Sequence, residues 1–600
     1  MENMPFNRRE LEFQLYEFAA AETLCQDGPF ADHDRAGFDA IIDSALRVAN
    51  EKFAPHAATL DAQEPQFVDG RAVTPPELKE AVQAYVDGGF MGLGFPAEAG
   101  GLGLPYTVSQ AVSWCFNMAD GNALGYPFLT MAAANLIRVK GSAEQQQRYM
   151  RPMIAGRWFG TMALSEPQAG SSLADIRTRA EPRGDGSYAI KGTKMWISAA
   201  EHELSENIIH LVLAKVPGGP PGTKGISLFI VPKFRLTDDG ACGEWNHIAL
   251  AGLNHKMGNR GTTNTLLNFG EGGESIGYLV GDLHDGLAGM FHMMNEARIG
   301  VGFGAAVAGY LGYLHSLDYA RERPQGRPAG VRDASTPQVA LIEHPDVRRM
   351  LLAQKAISEG ALALCFHGAR LVDDLALLDE GKAREDCELE LAILTPIIKA
   401  WISHYSLEAN YWGLQILGGY GYTREFPLER IYRDNRLNPI HEGTNGIQSL
   451  DLLGRKVTMR GGAAFKLLIS RIQDTVAQAG GHEELSEYAA ALAAGCETVA
   501  TTTMTLGQAA GQGQIDRFLA NSWVYLDMLG HLVVAWIWLR QALLAQAGLA
   551  TASDEAGAFY RGKLHACRYF FRWELPKIEA QARLLSSLDD TLLGMPVDGY

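Results

Sequence analysis

Residues 208–213 read Ile208-Ile209-His210-Leu211-Val212-Leu213, and residues 226–231 read Ile226-Ser227-Leu228-Phe229-Ile230-Val231. Both runs are rich in β-branched and apolar residues, and the turn sequence Pro217-Gly218-Gly219-Pro220 lies between them. Short runs of this composition, bounded by turn residues, are typical of β-strands. No helical pattern separates them, so we predict an antiparallel pair of strands here.

The same pattern extends on both sides of this pair. Tyr188-Ala189-Ile190 precedes it and Thr265-Leu266-Leu267-Asn268-Phe269 follows it. The turn sequences Gly184-Asp185-Gly186 and Asp238-Asp239-Gly240 divide the runs. We therefore predict an antiparallel β-domain in the middle of the chain.

Helical patterns flank this β-region. Apolar residues recur at helical spacing in residues 38–46, and further helices are expected at 344–378 and 385–417. Pro396 is expected to kink the last of these or to mark a helix start within it. Gly418-Gly419 follows it as a C-cap.

Together these patterns predict an α+β fold, in which a helical region, a β-region, a second helical region and a further helical region follow one another along the chain. The glycine-rich residues 88–105 contain no complete G-x-G-x-x-G after a strand, so we read them as a loop. Gly300, Gly302 and Gly304 are interpreted as small residues between packed helices. The predicted divisions are an N-terminal extension (1–37), an N-terminal helical domain (38–158), the β-domain (159–282), a helical domain (283–458) and an additional C-terminal helical domain (459–600).

Composition narrows the classes of function. The chain has 600 residues, of which 47% are hydrophobic and 20% charged, as in multidomain globular proteins. Its net charge of −17 argues against nucleic-acid binding. The first residues lack a secretory signal, and the apolar run 533–539 is too short for a transmembrane segment. Seven scattered cysteines suggest neither disulfides nor a zinc or other metal site, so we expect a cytoplasmic protein.

Three separated segments carry the functional signal. The first is Ala163-Leu164-Ser165-Glu166-Pro167-Gln168-Ala169-Gly170-Ser171-Ser172, and the second is Gly192-Thr193-Lys194-Met195-Trp196-Ile197-Ser198. The third joins Gln415-Ile416-Leu417-Gly418-Gly419-Tyr420-Gly421-Tyr422 to Ile440-His441-Glu442-Gly443-Thr444-Asn445-Gly446-Ile447-Gln448.

In these segments the sequence resembles the acyl-CoA dehydrogenase family, over residues 38–456 and in the family's own order. The long C-terminal region is similar to that of the larger members, including long-chain, very-long-chain and methylthiopropionyl-CoA enzymes. The resemblance implies an FAD-dependent oxidoreductase of lipid metabolism that converts a fatty acyl-CoA into a trans-2-enoyl-CoA, as in β-oxidation. It also implies a homodimer and an electron-transfer flavoprotein as electron acceptor.

Glu442 resembles the family's catalytic base. Removal of a thioester's weakly acidic α-proton needs a positioned base, and a carboxylate in water, with a pKa of about 4.3, is too weak. Burial beside flavin and acyl chain would raise that pKa toward the working pH. Without its context, Glu442 would be read as an exposed acid paired with Arg433 or Arg436.

The resemblance also assigns residues to the cofactor. Trp196 would stack on the flavin, although a lone Trp is more often a core residue. Gly418 and Gly419 would reach a neighbouring subunit's FAD diphosphate, and they also suit a helix C-cap. The cofactor set implied in this way is Leu164, Ser165, Ser171, Trp196, Ser198, Arg323, Gln415, Gly418, Gly419 and Thr444.

Substrate contacts are implied for four residues. Ser171 resembles a residue on the CoA pantetheine, and Asn295 and Arg298 resemble a pair near the CoA moiety; Glu442 completes the set. Arg298 is equally well explained as an ion-pair partner on a helix surface.

Other readings remain open at this stage. An acyl-CoA oxidase would share the fold and the base but reduce oxygen. A flavin monooxygenase or nitroalkane oxidase would differ at the base position, which Glu442 disfavours. A non-catalytic acyl-CoA-binding protein is the alternative outside enzymes. Apolar pocket residues resemble any core, so the acyl chain length cannot be read from the sequence.

Overall fold

The computed structural model describes residues 4–26 and 28–600, apart from the side chains of residues 291–295. The helices that precede the sheet are α1 (Arg8–Glu12), α2 (Arg35–Val48), α3 (Ala57–Ala62), α4 (Pro76–Asp87), α5 (Tyr106–Lys140), α6 (Ala143–Gln145) and α7 (Arg151–Ile154). The predicted helix at 38–46 lies within α2, which begins after the N-cap Asp34. The predicted glycine-rich loop lies between α4 and α5.

Twelve strands are described. They are β1 (Gln66–Val68), β2 (Arg71–Val73), β3 (Trp158–Ala163), β4 (Arg179–Pro182), β5 (Tyr188–Ser198), β6 (Asn207–Lys215), β7 (Ile226–Pro232), β8 (Phe234–Leu236), β9 (Cys242–Trp245), β10 (Ile248–Leu253), β11 (Asn264–Phe269) and β12 (Ser275–Val280). All four predicted runs are strands: β5, β6, β7 and β11.

Helices follow again to the end of the chain. They are α8 (Gly286–Glu322), α9 (Pro345–Leu377), α10 (Lys382–Leu417), α11 (Leu428–Asn435), α12 (Asn445–Asp451), α13 (Met459–Gly480), α14 (Ser486–Gly511), α15 (Ile515–Ala520), α16 (Ser522–Leu549), α17 (Asp554–Tyr569), α18 (Lys577–Ser586) and α19 (Thr591–Gly594). The predicted fold class, helical, then β, then helical, is confirmed.

The chain forms two compact units. The first contains Met4 and residues 29–297, and the second contains residues 5–28 and 298–600.

The main sheet belongs to the first unit, with the order β10-β11-β5-β12-β7-β6-β3 and with β4 beside β5 and β6. Every residue of β6 except the last is buried, because the two faces of this strand enter different cores. Ile209, Leu211 and Leu213 pack in one cluster with residues of α5. Val212 and Ala214 pack in the other, with residues of β5 and β11. A central strand covered on both faces explains the unbroken apolar run in the sequence.

The predicted antiparallel pairing holds for most of the sheet, but β3 and β4 each pair with β6 in parallel, β4 only at Arg179 beside Lys215. β6 and β7 are antiparallel as expected, but β3 pairs with β6 in parallel, from Trp158 beside Asn207 to Ala163 beside Val212. A parallel pair needs a long crossover connection. Here the intervening chain, which includes β4 and β5, supplies it.

The second unit is helical. Gly302 of α8 lies so close to α10 that an added Cβ would be 2.5 Å from the backbone oxygen of Ile398, which confirms its expected packing role. The predicted helices at 344–378 and 385–417 correspond to α9 and α10. Pro396 lies inside α10 and does not begin a new helix.

The C-terminal helices pack around α16. Among the described helices, only α16 is long and apolar enough to cross a membrane. Of its most apolar 18 residues, 83% are buried within the protein, as in a core helix. Residues 5–28 join the same unit: Tyr560 of α17 donates to a carboxylate oxygen of Glu17 at 2.8 Å.

Candidate active site

Trp196 occupies a bulge in the sheet of the first unit. Along β5 and β11, Ile197 pairs with Thr265 and Met195 pairs with Leu266, so Trp196 is the extra residue. Its φ of 66° lies in the left-handed region, which is rare for a bulky side chain. The indole is 57% exposed. Trp196 is therefore not a core residue, and the backbone strain directs a flat aromatic ring outward.

The loop that follows β3 is tied to β5 next to this bulge. The backbone N–H of Met195 donates to the carbonyl oxygen of Ser165 at 3.0 Å. Nζ of Lys194 donates to the carbonyl oxygen of Leu164 at 2.8 Å and to Oε1 of Glu166 at 3.0 Å. The structure thus brings Leu164 and Ser165, both partly exposed, close to Trp196.

Glu166 is the anchor of this loop. Its carboxylate accepts from the backbone N–H groups of Arg177 (2.7 Å) and Thr178 (3.0 Å) as well as from Lys194. Burial alone would raise the pKa of Glu166, but the Lys194 ammonium and these hydrogen bonds outweigh it and hold the pKa at about 2. Burial lowers the pKa of Lys194 to about 8, with Glu166 opposing the shift. Both groups are therefore charged at neutral pH.

Three predicted residues of this unit remain. Ser198 ends β5, two residues after Trp196, and its Oγ accepts a hydrogen bond from Nδ2 of Asn264 on β11 at 3.1 Å. Ser171 is exposed in the loop after β3. Asn295 lies outside the described side chains.

Glu442 lies in the second unit, on the short loop before α12. Its φ is 53°, and Gly443 follows with a φ of 84°. Nε2 of the buried Gln448 donates to the carbonyl oxygen of Glu442 at 3.2 Å, and Oγ1 of Thr444 caps α12 by accepting from the N–H of Ile447 at 3.3 Å. The loop therefore holds Glu442 in a strained but well-supported conformation, as is common at functional sites.

A second set of contacts fixes this loop to α10. Asn445 is buried, and its Oδ1 accepts from Nζ of Lys399 at 3.0 Å and from Oγ of Ser403 at 3.2 Å. Its Nδ2 donates to the carbonyl oxygen of Ala400 at 3.1 Å. All polar atoms of the Asn445 side chain are thus used to connect the loop of Glu442 to one helix.

The surroundings of Glu442 favour a base. The carboxyl is partly buried, and burial raises its pKa, while the cations Lys399 and Arg298 act in the opposite direction. Arg433, one of the two arginines expected to pair with Glu442, forms an ion pair with Glu429 instead, with Nε 2.7 Å from Oε2, and among the described residues no ion pair joins Glu442 to Arg433 or Arg436.

Arg298 of α8 is buried and forms an ion pair. It is 3% exposed, and its NH1 lies 3.1 Å from Oδ2 of Asp451, which is 9% exposed. Its Nε is buried without a hydrogen-bond partner in the described structure. Arg298 thus forms a buried ion pair and not the surface pair of the alternative, and its Nε remains available to another group.

The remaining predicted residues form a separate group. Gln415 is exposed in the last turn of α10, and Gly418 caps that helix with a φ of 59°. A Cβ placed on Gly418 or Gly419 would meet nothing within 4 Å, so the backbone is open there. Arg323, directly after α8, lies at the same place: its guanidinium carbon is 5.9 Å from the ring centre of Tyr420. The structure therefore brings Arg323 to the turn that carries Gly418 and Gly419.

Comparison with known proteins agrees with this geometry. Residues 38–157, 161–270 and 284–457 match the N-terminal, middle and C-terminal domains of acyl-CoA dehydrogenase, and residues 468–596 match the "Acetyl-CoA dehydrogenase C-terminal like" model. The 3-methylmercaptopropionyl-CoA dehydrogenase of Ruegeria pomeroyi is 37% identical over 91% of this chain and 92% of that protein. The chain belongs to the acyl-CoA dehydrogenase family. The family and enzyme class predicted from the sequence are thereby confirmed.

Other members of the acyl-CoA dehydrogenase family match over nearly the full length. A butyryl-CoA dehydrogenase of Syntrophomonas wolfei is 31% identical over 100% of this chain and 99% of its own. A broad-specificity linear acyl-CoA dehydrogenase of Mycobacterium tuberculosis is 31% identical over 98% of both. The fold matches an acyl-CoA dehydrogenase of Bacillus anthracis, complexed with FAD, with a TM-score of 0.76, 21% identity and coverage of 94% of this chain and 90% of that one.

Sequence reasoning on this acyl-CoA dehydrogenase missed the charged groups that support the predicted residues. Lys194 stands directly before Met195-Trp196, and Lys399 is a single cation in the apolar run Thr395-Pro396-Ile397-Ile398-Lys399-Ala400-Trp401. A lysine in such a run must be buried with a partner or lie at a break in the helix. That signal was present in the sequence, although it does not name the partner.

Proposed function

We propose that this protein is an FAD-dependent acyl-CoA dehydrogenase in which Glu442 removes the α-proton of a fatty acyl-CoA to give a trans-2-enoyl-CoA. The observation that carries the proposal is Glu442 itself, which is partly buried on a left-handed, hydrogen-bonded loop and whose pKa is raised by that burial. Burial strengthens a carboxylate as a base by raising its pKa, as this reaction requires.

The chain's own residues then have separate tasks. The carboxylate of Glu442 takes the α-proton, and its backbone N–H donates to the thioester oxygen as negative charge develops there. Gln448 and Asn445 keep the loop in place while the charge on Glu442 changes. Ser171 and Arg298 are the proposed contacts for the CoA portion, together with Asn295.

The residues present fit FAD. The exposed indole of Trp196 offers a stacking surface, with Leu164, Ser165 and Ser198 close by. The open backbone at Gly418-Gly419, with Arg323 and Gln415 beside it, suits a diphosphate, and Thr444 is proposed as a further contact. When bound, FAD supplies a hydride acceptor that no side chain provides.

Three further proposals follow from the resemblance. The backbone at Gly418-Gly419 is open, which supports a homodimer in which it reaches the partner subunit's FAD. An electron-transfer flavoprotein is the proposed acceptor, and the cytoplasm the proposed location. Light scattering of the purified protein tests the dimer, and a monomer that retains FAD would contradict it.

The relatives named above are dehydrogenases, and this favours a dehydrogenase over an oxidase. Turnover with a dye acceptor that is the same with and without oxygen, and yields no hydrogen peroxide, would support the dehydrogenase. Peroxide formed in proportion to enoyl-CoA would identify an oxidase.

The proposal is tested by Glu442→Gln, which keeps the shape of the side chain and removes the base. We expect yellow protein with bound FAD and a loss of dye-linked turnover of about 10²–10⁴-fold or more. Glu425→Gln, which changes an exposed carboxylate of the same region, is the matched control and should retain full activity. Near-normal turnover by Glu442→Gln would remove Glu442 from the mechanism.

A further inference from the structure

We propose that Lys399 is a positioning residue for the base: its buried ammonium holds the Glu442 loop through Asn445 and serves as the counter-charge of the Glu442 carboxylate. This inference rests on the proposed function of Glu442. Lys399 is 0% exposed, on the face of α10 that also carries Ser403 and Ala400, and all three residues contact Asn445.

Among the charged groups around Glu442, Lys399 is the cation that can act as its counter-charge. The cations that act on Glu442 are Lys399 from α10 and Arg298 from α8. Arg298 is already paired with Asp451 of α12 at 3.1 Å. His441, beside the base, stays neutral, because burial and Lys399 lower its pKa to about 3. Among the described residues, no ion pair joins either Lys399 or Glu442 to another side chain, so each is the remaining partner of opposite charge for the other.

Burial explains why Lys399 and Glu442 depend on each other's charge. An isolated buried ammonium is costly and is normally paired or neutral. Burial lowers the pKa of Lys399 to about 7, with Arg298 adding to the shift and Glu442 opposing it. In return, the positive charge of Lys399 lowers the pKa of Glu442. Replacing Lys399 by a neutral residue removes that effect, so Glu442 stays protonated to a higher pH.

A purely structural role would give a different result. Ser403 donates to the same Oδ1 of Asn445 but carries no charge. Ser403→Ala weakens the hold on the loop and leaves the electrostatics of Glu442 as they are. Lys399→Met removes both the hydrogen bond and the charge, Lys399→Gln offers a neutral donor instead, and Lys399→Arg keeps a charge.

The experiment isolates proton removal from hydride transfer. A 3-thia-acyl-CoA has sulfur in place of the β-carbon and so has no β-hydride to lose, but its α-hydrogens can exchange with D2O. The exchange rate of this analogue on the FAD-loaded enzyme is followed by mass spectrometry between pH 5 and 9, and thermal unfolding is recorded for each variant.

We expect exchange by the wild type to rise with pH as Glu442 loses its proton. For Lys399→Met and Lys399→Gln the midpoint should move to higher pH by about one unit or more, which is roughly a tenfold slower exchange on the acid side. Ser403→Ala should keep the wild-type midpoint, and Lys399→Arg should lie closer to it than the neutral variants do.

Each contrary outcome is distinct. No exchange by the wild type, or undiminished exchange by Glu442→Gln, would reject the proposed function. With those two controls as expected, an unshifted midpoint in both neutral variants would overturn the role of Lys399. An equal shift in Ser403→Ala, or failure of both neutral variants to fold, would overturn it as well, because Lys399 would then act only on structure.

Discussion

Nζ of Lys194 lies 3.0 Å from Oε1 of Glu166, and neither side chain reaches the solvent to any useful extent, with exposures of 0% and 3%. The same ammonium donates to the carbonyl oxygen of Leu164. One buried ion pair thus connects the strand that carries Trp196 to the loop that carries Leu164 and Ser165.

Breaking this pair is expected to affect both stability and cofactor binding. Lys194→Met leaves the Glu166 carboxylate buried without its cation, a change that typically costs about 3–5 kcal/mol. We expect a lower melting temperature of the apoprotein and weaker FAD binding in a fluorescence titration. Lys194→Met combined with Glu166→Gln should recover part of the stability.

The exposed ion pair between Arg157 and Glu206, at 2.9 Å in the same unit, is the matched control. Exposed pairs contribute little to stability, so Arg157→Gln should melt close to the wild type. Equal losses in Arg157→Gln and Lys194→Met would show that the buried pair has no special role.

Trp196 should reduce the stability of the protein while it improves cofactor binding. Left-handed backbone at a bulky residue costs on the order of 1–3 kcal/mol, and the exposed indole recovers little by packing. We expect apo Trp196→Gly to melt no lower than the wild type, although it should bind FAD at least about tenfold more weakly. Trp196→Phe should bind FAD with intermediate affinity.

A core tryptophan gives the comparison. Trp538 is 0% exposed and donates to the carbonyl oxygen of Ala356 at 2.9 Å, so Trp538→Ala should cost about 3–5 kcal/mol. If Trp196→Gly melted as low as Trp538→Ala, the strain argument would be wrong.

What the sequence could predict depended on local patterns. The strands around Leu211 and Phe229 and the helix α10 could be found because their apolar periodicity lies within a few residues. The bulge at Trp196 could not, since it depends on the register between β5 and β11. The parallel pairing of β3 with β6 likewise arises between distant segments.

The same limit applied to the candidate site. Glu442 was identified from the residues around it and from a family resemblance, both of which are visible in the chain. Its connection to Lys399 through Asn445 joins positions on different elements. Electrostatic partners of this kind follow from the fold, and a single sequence indicates only that Lys399 in an apolar run needs some partner.

His531 predicts a pH-dependent stability in the second unit. Its Nδ1 lies 3.3 Å from Oδ1 of Asp527, and its Nε2 lies 3.7 Å from Oε2 of Glu574. Burial alone would lower the pKa of His531, but these two carboxylates outweigh it and raise the pKa to about 9. The protonated imidazole therefore stabilises the folded state fully below its ordinary pKa of about 6.5, and this stabilisation is lost as the pH rises through 9.

The corresponding measurement is the melting temperature between pH 6 and 9.5. We expect it to fall over this range in the wild type and to fall distinctly less in His531→Gln, which cannot take up the proton. His404 of α10 has a pKa lowered mainly by burial, so His404→Gln should keep the wild-type slope. The same slope in all three proteins would mean that His531 does not carry the effect.

The N-terminal segment is fixed by a fully buried charge cluster. Nζ of Lys563 lies 2.6 Å from Oε1 of Glu10 and 2.9 Å from Oε2 of Glu359, and none of the three side chains is more than 1% exposed. Lys355 pairs with Glu359 as well. Burial, together with the charge of Glu359, raises the pKa of Glu10, while Lys563 and Lys355 oppose the shift.

Lys563→Met should therefore release residues 5–28 before it disturbs the helices behind them. With its cation gone, Glu10 can avoid an uncompensated buried charge by moving into water, because its chain is a terminal segment, whereas Glu359 in α9 keeps Lys355. We expect faster proteolytic cleavage within residues 5–28 and a lower melting temperature. Lys563→Met combined with Glu10→Gln should restore much of the protection. Equal cleavage of the single and double variants would show that the packing of the segment, and not the charge of Glu10, holds it in place.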